Sequence, residues 1–456
     1  MTLINTNKIN LKKFGKEYHG EKIFVFLFSF LPISFILGNA GINLNILAID
    51  LFFLFICFRQ KEWHWIKSKY LYFFVFIWIY LVLNSAISFN TPASVFDSIE
   101  GREVYPKKES IIRSVSFLRF VIFLFAFKYV FANSKKIFGQ ILIYWSIIIS
   151  VVLIDIIFES IFGHNILGFK STNHERIVSF FEDELVVGNL VLGFGFLISG
   201  FLLQLSKNNS KKKIISNIFF LFVIIGIYLS GERANFAKGA IIFFTILLFI
   251  NNVFFVLKKK YIFLLFMAAI ILSALISKNI YSRQIQLLSN IGIRGIGTER
   301  NYVGKYKDTS FYEKYGHIRH VAHYDVAWNI FKDYPIFGVG NSKFRFICHD
   351  EKYYNSKIHF TSERCSNHPH QIHLEILSEQ GIVGYLIIIF AIFHVLLNSF
   401  IAYKKTRDII HLSSILFVVT FFIPLLPSGS FFGTFNASIF WINFSLAHAF
   451  LSKPKG

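Results

Sequence analysis

The chain has 456 residues, of which 54% are hydrophobic and 59 are phenylalanine, with 3 cysteines and a formal net charge of +21. So apolar a chain of this length is a polytopic membrane protein, which excludes the soluble globular classes. The positive charge does not mark a nucleic-acid surface, because it falls in short clusters between apolar runs.

Runs long enough to cross ~30 Å of hydrocarbon recur along the chain. In order they cover 23–37, 42–58, 70–89, 111–131, 139–162, 185–205, 214–230, 237–257, 261–277, 381–402, 409–427 and 433–451, about twelve spans. Lipid offers the backbone no water, so each run is predicted to be helical and the fold all-α. The first run is expected to be retained rather than cleaved, since no small-residue cleavage site follows it and another hydrophobic segment comes at once. The domain plan is a tail at 1–22, nine spans over 23–277, an outer loop over 278–380, three spans over 381–451, and a tail at 452–456.

Basic clusters occupy alternate connections: "KINLKKFGK", "RQKEWHWIKSK", "NSKK", "SKNNSKKK", "KKK" at 258–260, "YKKTR" and the terminal "KPK". Short basic loops stay in the cytoplasm, and one orientation satisfies every cluster: both termini inside. The connections 90–110, 163–184, 230–236 and the long segment from about 278 to 375 then face outward. A segment of that last length is functional or folds on its own. It holds Cys348 and Cys365, for which a disulfide and two separate thiols are both open; Cys57 lies in a span.

Three outward stretches hold more than a solvated loop needs. In "LSGERANFAKG", Gly231 permits a sharp bend that keeps Arg233 at the membrane surface, to meet lipid phosphates or a phosphorylated substrate. "NHERIVSFFEDELVVGN" places Arg176 ahead of the sixth span. Glu182, Asp183 and Glu184 follow where that helix starts; acids suit a helix N-terminus, and divalent-metal ligation is the alternative. Arg113 and Arg119 stand at the outer end of the fourth span, where Arg119 is deep enough to face the protein interior or a wet cavity.

The third stretch is "CSNHPHQIHLEILSEQGIVGYL". Pro369 suits a first helical turn, which predicts His370 in that turn, near the positive end of the helix dipole and therefore neutral and able to accept a proton. Leu374, Leu377, Gly381 and Gly384 form one stripe whose glycines admit a neighbouring helix closely. Glu375 and Glu379, one turn apart, are candidates to orient an imidazole or hold a basic side chain. Arginines, a base-competent histidine and a large loop on one face suit a diphosphate-activated, lipid-borne substrate, since guanidinium binds phosphate oxygens in pairs and steadies a departing diphosphate.

These residues resemble the O-antigen ligase and polymerase superfamily. "HQIHLEILSEQGIVG" fits the pattern H-[NSQ]-x9-G-x-x-G, with His370, Gln371, Gly381 and Gly384 in the diagnostic places. "LSGERANF" resembles the family's arginine turn, "HERIVSFFEDELVVGN" its other outward arginine segment, and "AWNIFKDYPIFGVGNSKFRFIC" the segment before the histidine motif. The resemblance implies a GT-C-like transferase with its main periplasmic loop between the ninth and tenth spans. It further implies a glycan donor on undecaprenyl diphosphate at the outer face of the bacterial cytoplasmic membrane, no cofactor, and metal-independent inverting chemistry. The acceptor is lipid A–core for a ligase or a second lipid-linked repeat for a polymerase. By that resemblance His370 is the base and Arg176 and Arg233 hold the diphosphate. Arg113, Arg119, Arg364, His368 and Gln371 are supporting candidates, and His320 and His323 are expected to serve the loop's own packing. A lipid-linked oligosaccharide flippase is the rival, with buried charges at Asp50, Asp155 and Glu159. No internal repeat of the transporter kind is visible, and Asp155 and Glu159 are expected to partner Arg113 or Arg119.

Overall fold

The computed structural model describes residues 17–87, 95–97, 102–133, 135–171, 176–182, 184–276, 318–358, 360–424 and 426–451. Residues 1–16 and 452–456 of the predicted tails, residues 278–317 of the outer loop and Asp183 lie outside them. The described chain is helical apart from a small antiparallel hairpin, β1 (Val95–Asp97) with β2 (Arg102–Val104), in which Phe96 faces Glu103 in register.

In chain order the helices are α1 (Glu17–Ser29), α2 (Leu31–Ile36), α3 (Gly38–Gln60), α4 (Lys69–Ile87), α5 (Pro106–Ser116), α6 (Leu118–Asn133), α7 (Lys135–Phe162) and α8 (Val187–Ser206). They continue with α9 (Ser210–Leu229), α10 (Arg233–Phe249), α11 (Lys259–Ile276), α12 (Arg319–Asp333), α13 (Phe344–Ile347), α14 (Ile372–Thr406), α15 (Ile409–Phe421) and α16 (Thr434–Ala449). Each predicted apolar run contains a helix. By length and apolarity, 7 segments among the described residues suffice to cross a membrane: α3, α4, α5–α6, α7, α8, α9 and α14. The protein is a multi-pass membrane protein.

Other runs differ from the uniform rods that hydropathy suggests. The first is split at Phe30, with a proline in the first turn of α2, and the fourth turns at Phe117. The 13 residues of α15 rise only ~20 Å at ~1.5 Å each, short of a full crossing. Its residues are almost all buried, and irregular backbone beside such a helix is tolerated where protein encloses it. Helix α8 is central, with 89% of its apolar window buried. A Cβ added at Gly193 would strike Ile439 of α16, and one at Gly195 would meet Val223 of α9 at 2.8 Å, so these glycines set helix spacing.

The outer segment packs around its own apolar centre: Val326, Ala327 and Ile330 of α12 with Val339, Phe344, Ile347, Cys348 and Tyr353. Cys348 and Cys365 form a disulfide with Cα atoms 5.4 Å apart. Buried Arg364 lies behind it, donating from Nε to Cys348 O at 3.0 Å and from Nη2 to His349 O at 3.1 Å.

A break in α14 attaches this segment to the membrane helices. Gly381 has φ 63° and ψ −172°, a region open essentially only to glycine. The peptide Pro335–Gly340 fills the gap. Ile382 N donates to Pro335 O at 2.8 Å and Val383 N to Ile336 O at 3.2 Å, while Val339 N and Gly340 N donate to Ser378 O and Glu379 O at 3.0 and 2.8 Å. Tyr80 OH and Asn84 Nδ2 of α4 reach Gln380 O at 2.7 Å and Phe337 O at 2.9 Å. Gly384 faces Tyr80, whose ring a Cβ there would strike at 2.6 Å. The two glycines of the motif therefore have different tasks: one breaks the helix, the other admits a neighbour. Gly381→Ala is expected to add roughly 1–3 kcal/mol of backbone strain besides a collision with Ile336 O. A thermal melt in detergent should show a clear loss, whereas Gly139→Ala, which meets nothing within 4 Å, should leave the melt unchanged.

Candidate active site

Helix α14 begins at Ile372, not at Pro369. Gln371 is its N-cap: Oε1 accepts from Leu374 N at 2.7 Å, and Nε2 donates to Pro424 O at 3.0 Å. His370 therefore lies outside the first turn, with φ 55°, a left-handed conformation uncommon in residues other than glycine. It is held from both sides. Ser428 N donates to His370 O at 2.9 Å, and Ser366 Oγ lies 3.1 Å from His370 Nε2. The 422–433 connection between α15 and α16 is tied down in turn by Glu375, which accepts from Phe431 N at 2.8 Å and from Ser430 Oγ.

Three further imidazoles surround His370. Ring centroids lie 4.3 Å away for His368 and 5.1 Å for both His320 and His323, the last two one turn apart on α12. His323 Nδ1 lies 3.0 Å from Arg364 O; a carbonyl only accepts, so Nδ1 carries the proton and Nε2 keeps its lone pair. His368 Nε2 similarly faces Ser428 O at 3.3 Å.

Burial pushes the His370 imidazole down from its ordinary 6.5 to about 4, helped by His323, Arg319 and Arg176. The same cause takes His320 to about 3, with His370, His323, Arg233 and Arg176 adding to it. The predicted neutral histidine is present, but its cause is desolvation and neighbouring charge rather than a helix dipole. Arg176 and Arg233 thus act electrostatically on one imidazole cluster from two different connections. Arg233 opens α10 beside Gly231, at φ 73°, while Glu232 accepts from Gly188 N at 2.6 Å and pins that turn to the start of α8.

Comparison with known families places one name on this region: residues 218–389 match the sequence model of a family described as O-antigen ligase. That match supports the O-antigen ligase and polymerase superfamily for this part of the chain. No curated protein matches the chain. The O-antigen ligase segment contains Arg233, the outer segment and His370; Arg176 precedes it. The function is accordingly of O-antigen ligase or polymerase type, in surface polysaccharide biosynthesis, and members of the superfamily are glycosyltransferase-like enzymes.

Around this site several expected pairings are replaced by others. Glu375 and Glu379 pair with no imidazole among the described residues, while the charge of a basic side chain, Arg345, reaches both; Glu379 accepts from Ser342 N at 2.7 Å and Phe344 N at 3.2 Å, fastening loops to α14. Asp155 and Glu159 do not partner Arg113 or Arg119. Asp155 accepts from Ile166 N and Ser179 Oγ, and Glu159 from Val178 N and Ser179 N, shaping the loop that carries Arg176. Arg113 pairs with Glu109, one turn back, at 2.5 Å. Arg119 lies over the Phe120 ring and within electrostatic reach of Asp50. Glu182 and Glu184 lie just ahead of α8, which starts at Val187. Arg364 supports His323 through its carbonyl and the disulfide through its guanidinium. His320 and His323, expected to serve packing, stand against His370; their i, i+3 spacing in "HIRHVAH" is the signal that they share a helix face. Arg345 was also missed: its charge reaches His368, Glu375 and Glu379.

Proposed function

We propose that this protein transfers a glycan from undecaprenyl diphosphate to an acceptor hydroxyl at the periplasmic face of the bacterial inner membrane. It spans that membrane about twelve times with both termini inside, as the alternating basic connections require. The Cys348–Cys365 disulfide supports an oxidising location for the outer segment.

In the reaction, a ring nitrogen of His370 takes the proton from the acceptor hydroxyl as that oxygen attacks the anomeric carbon. The bond from that carbon to the phosphate oxygen breaks, and its electron pair leaves on undecaprenyl diphosphate. Arg176 and Arg233 hold the diphosphate and offset its growing charge. A single displacement inverts the anomeric centre. The observation that carries this reading is the convergence of a neutral, left-handed His370 with the charges of Arg176 and Arg233 at a segment matching the O-antigen ligase family.

Deleting the gene and examining surface polysaccharide tests the reading and assigns the acceptor. Core bearing one repeat identifies a polymerase; bare core with accumulated lipid-linked polymer identifies a ligase. Repeats trapped on the inner leaflet would mean a flippase and sink the proposal.

A further inference from the structure

The cluster around His370 has a second chemical capacity. One ring nitrogen from each of His320, His323 and His370 lies within 4.8 Å of the other two. A tetrahedral cation with metal–nitrogen bonds of ~2.0–2.1 Å needs ligand atoms about 3.4 Å apart, so side-chain rotation of an ångström or so closes the set. Two of these imidazoles are already presented as ligands are. His323 Nδ1 donates to Arg364 O at 3.0 Å, the outer hydrogen bond that aims a metal-binding histidine and leaves Nε2 to coordinate. His320 Nδ1 is out of contact with solvent and has no hydrogen-bond partner among the described residues. An orphaned buried nitrogen on one of three gathered imidazoles fits a bound cation.

We propose that His320, His323 and His370 form a three-nitrogen site for a divalent transition cation, with zinc the best fit, and that filling it takes the base out of service. Neutral imidazoles suit zinc, copper or nickel; magnesium and calcium require oxygen ligands. Three protein ligands leave a fourth position open. Arg176 and Arg233, whose charges oppose a bare cation, favour an anion there, such as inorganic phosphate. The inhibitory consequence rests on His370 being the base, while the site itself does not. Zinc would act as a brake, occupying the lone pair that otherwise takes the acceptor's proton.

The test is zinc binding without glycan substrate, read by equilibrium dialysis on full-length, tag-free, detergent-purified protein whose disulfide is verified by thiol count. One saturable equivalent of Zn²⁺ is expected. His320→Ala should weaken it at least about tenfold, as should His323→Gln, which keeps a donor for Arg364 O. His164→Ala, just after the end of α7, should bind as the parent does. Unaltered melting temperatures of the zinc-free variants exclude unfolding as the cause. The absence of a saturable equivalent overturns the proposal. So does an equivalent that survives the His320→Ala, His323→Gln double substitution, which would place zinc elsewhere, for example at His349. Because no substrate is present, an inactive His370→Ala enzyme that binds no zinc before substitution refutes the cation site alone. Zinc binding beside an active His370→Ala enzyme refutes the base assignment alone.

Discussion

His370→Ala is expected to lower glycan transfer by roughly 10²–10⁴-fold, the range for removing a positioned general base. Protein level and melting temperature should hold, because His370's ties to the 422–433 connection run through its backbone carbonyl, which alanine retains. The measurement is kcat/KM with a lipid diphosphate-linked glycan and purified protein. A base acts only when neutral, so its acid limb falls at the value of the free enzyme. Burial and its neighbours His323, Arg319 and Arg176 hold that value at about 4. The rate should therefore be level through pH 6.5, where an ordinary histidine is half protonated, and drop only as pH falls towards 4. An acid limb near 6.5, or a His370→Ala enzyme with normal turnover at normal protein level, would remove the base assignment.

Arg233→Ala carries the second large effect. A fixed cation facing a leaving group is worth about 10²–10³ in rate, and Arg233 stands on a turn fastened to α8 through Glu232 and Gly188 N. Its loss should fall mainly on kcat, because charge on the diphosphate grows as the glycosidic bond breaks. Arg233→Lys should recover only part, since a point charge replaces a two-pronged donor. A purely structural role predicts something different: equal loss of folded protein in both variants and no kcat defect in what remains. Arg113→Ala is the contrast, because its guanidinium is paired with Glu109.

The sequence made some of this visible and hid the rest for physical reasons. His370, Gln371, Gly381 and Gly384 were legible as a set because each has a local place at fixed spacing: the proposed base, the cap, the helix break and the close approach. Arg233 was legible because Gly231 announces its turn. His320 and His323 were not placed at the site, since about fifty residues separate them from His370 and only tertiary packing joins them. Hydropathy reports how apolar a run is, not whether its helix is continuous, so the breaks at Phe30 and Phe117 and the shortness of α15 were invisible. Asp155 and Glu159 did not pair with Arg113 or Arg119 because the nearby loop offered backbone amides and the Ser179 hydroxyl, which bind carboxylates without ordering a long cation.

The helix break at Gly381 also constrains biogenesis. The amides of Ile382 and Val383, left open in α14, are satisfied by Pro335 O and Ile336 O, in a stretch synthesised some forty residues earlier. In the proposed topology that stretch has already crossed when α14 emerges from the ribosome and enters the bilayer, so translation order delivers the plug before the socket. Reversing that order, as a circular permutation moving the outer segment behind the last span would do, leaves nascent α14 with bare amides in lipid.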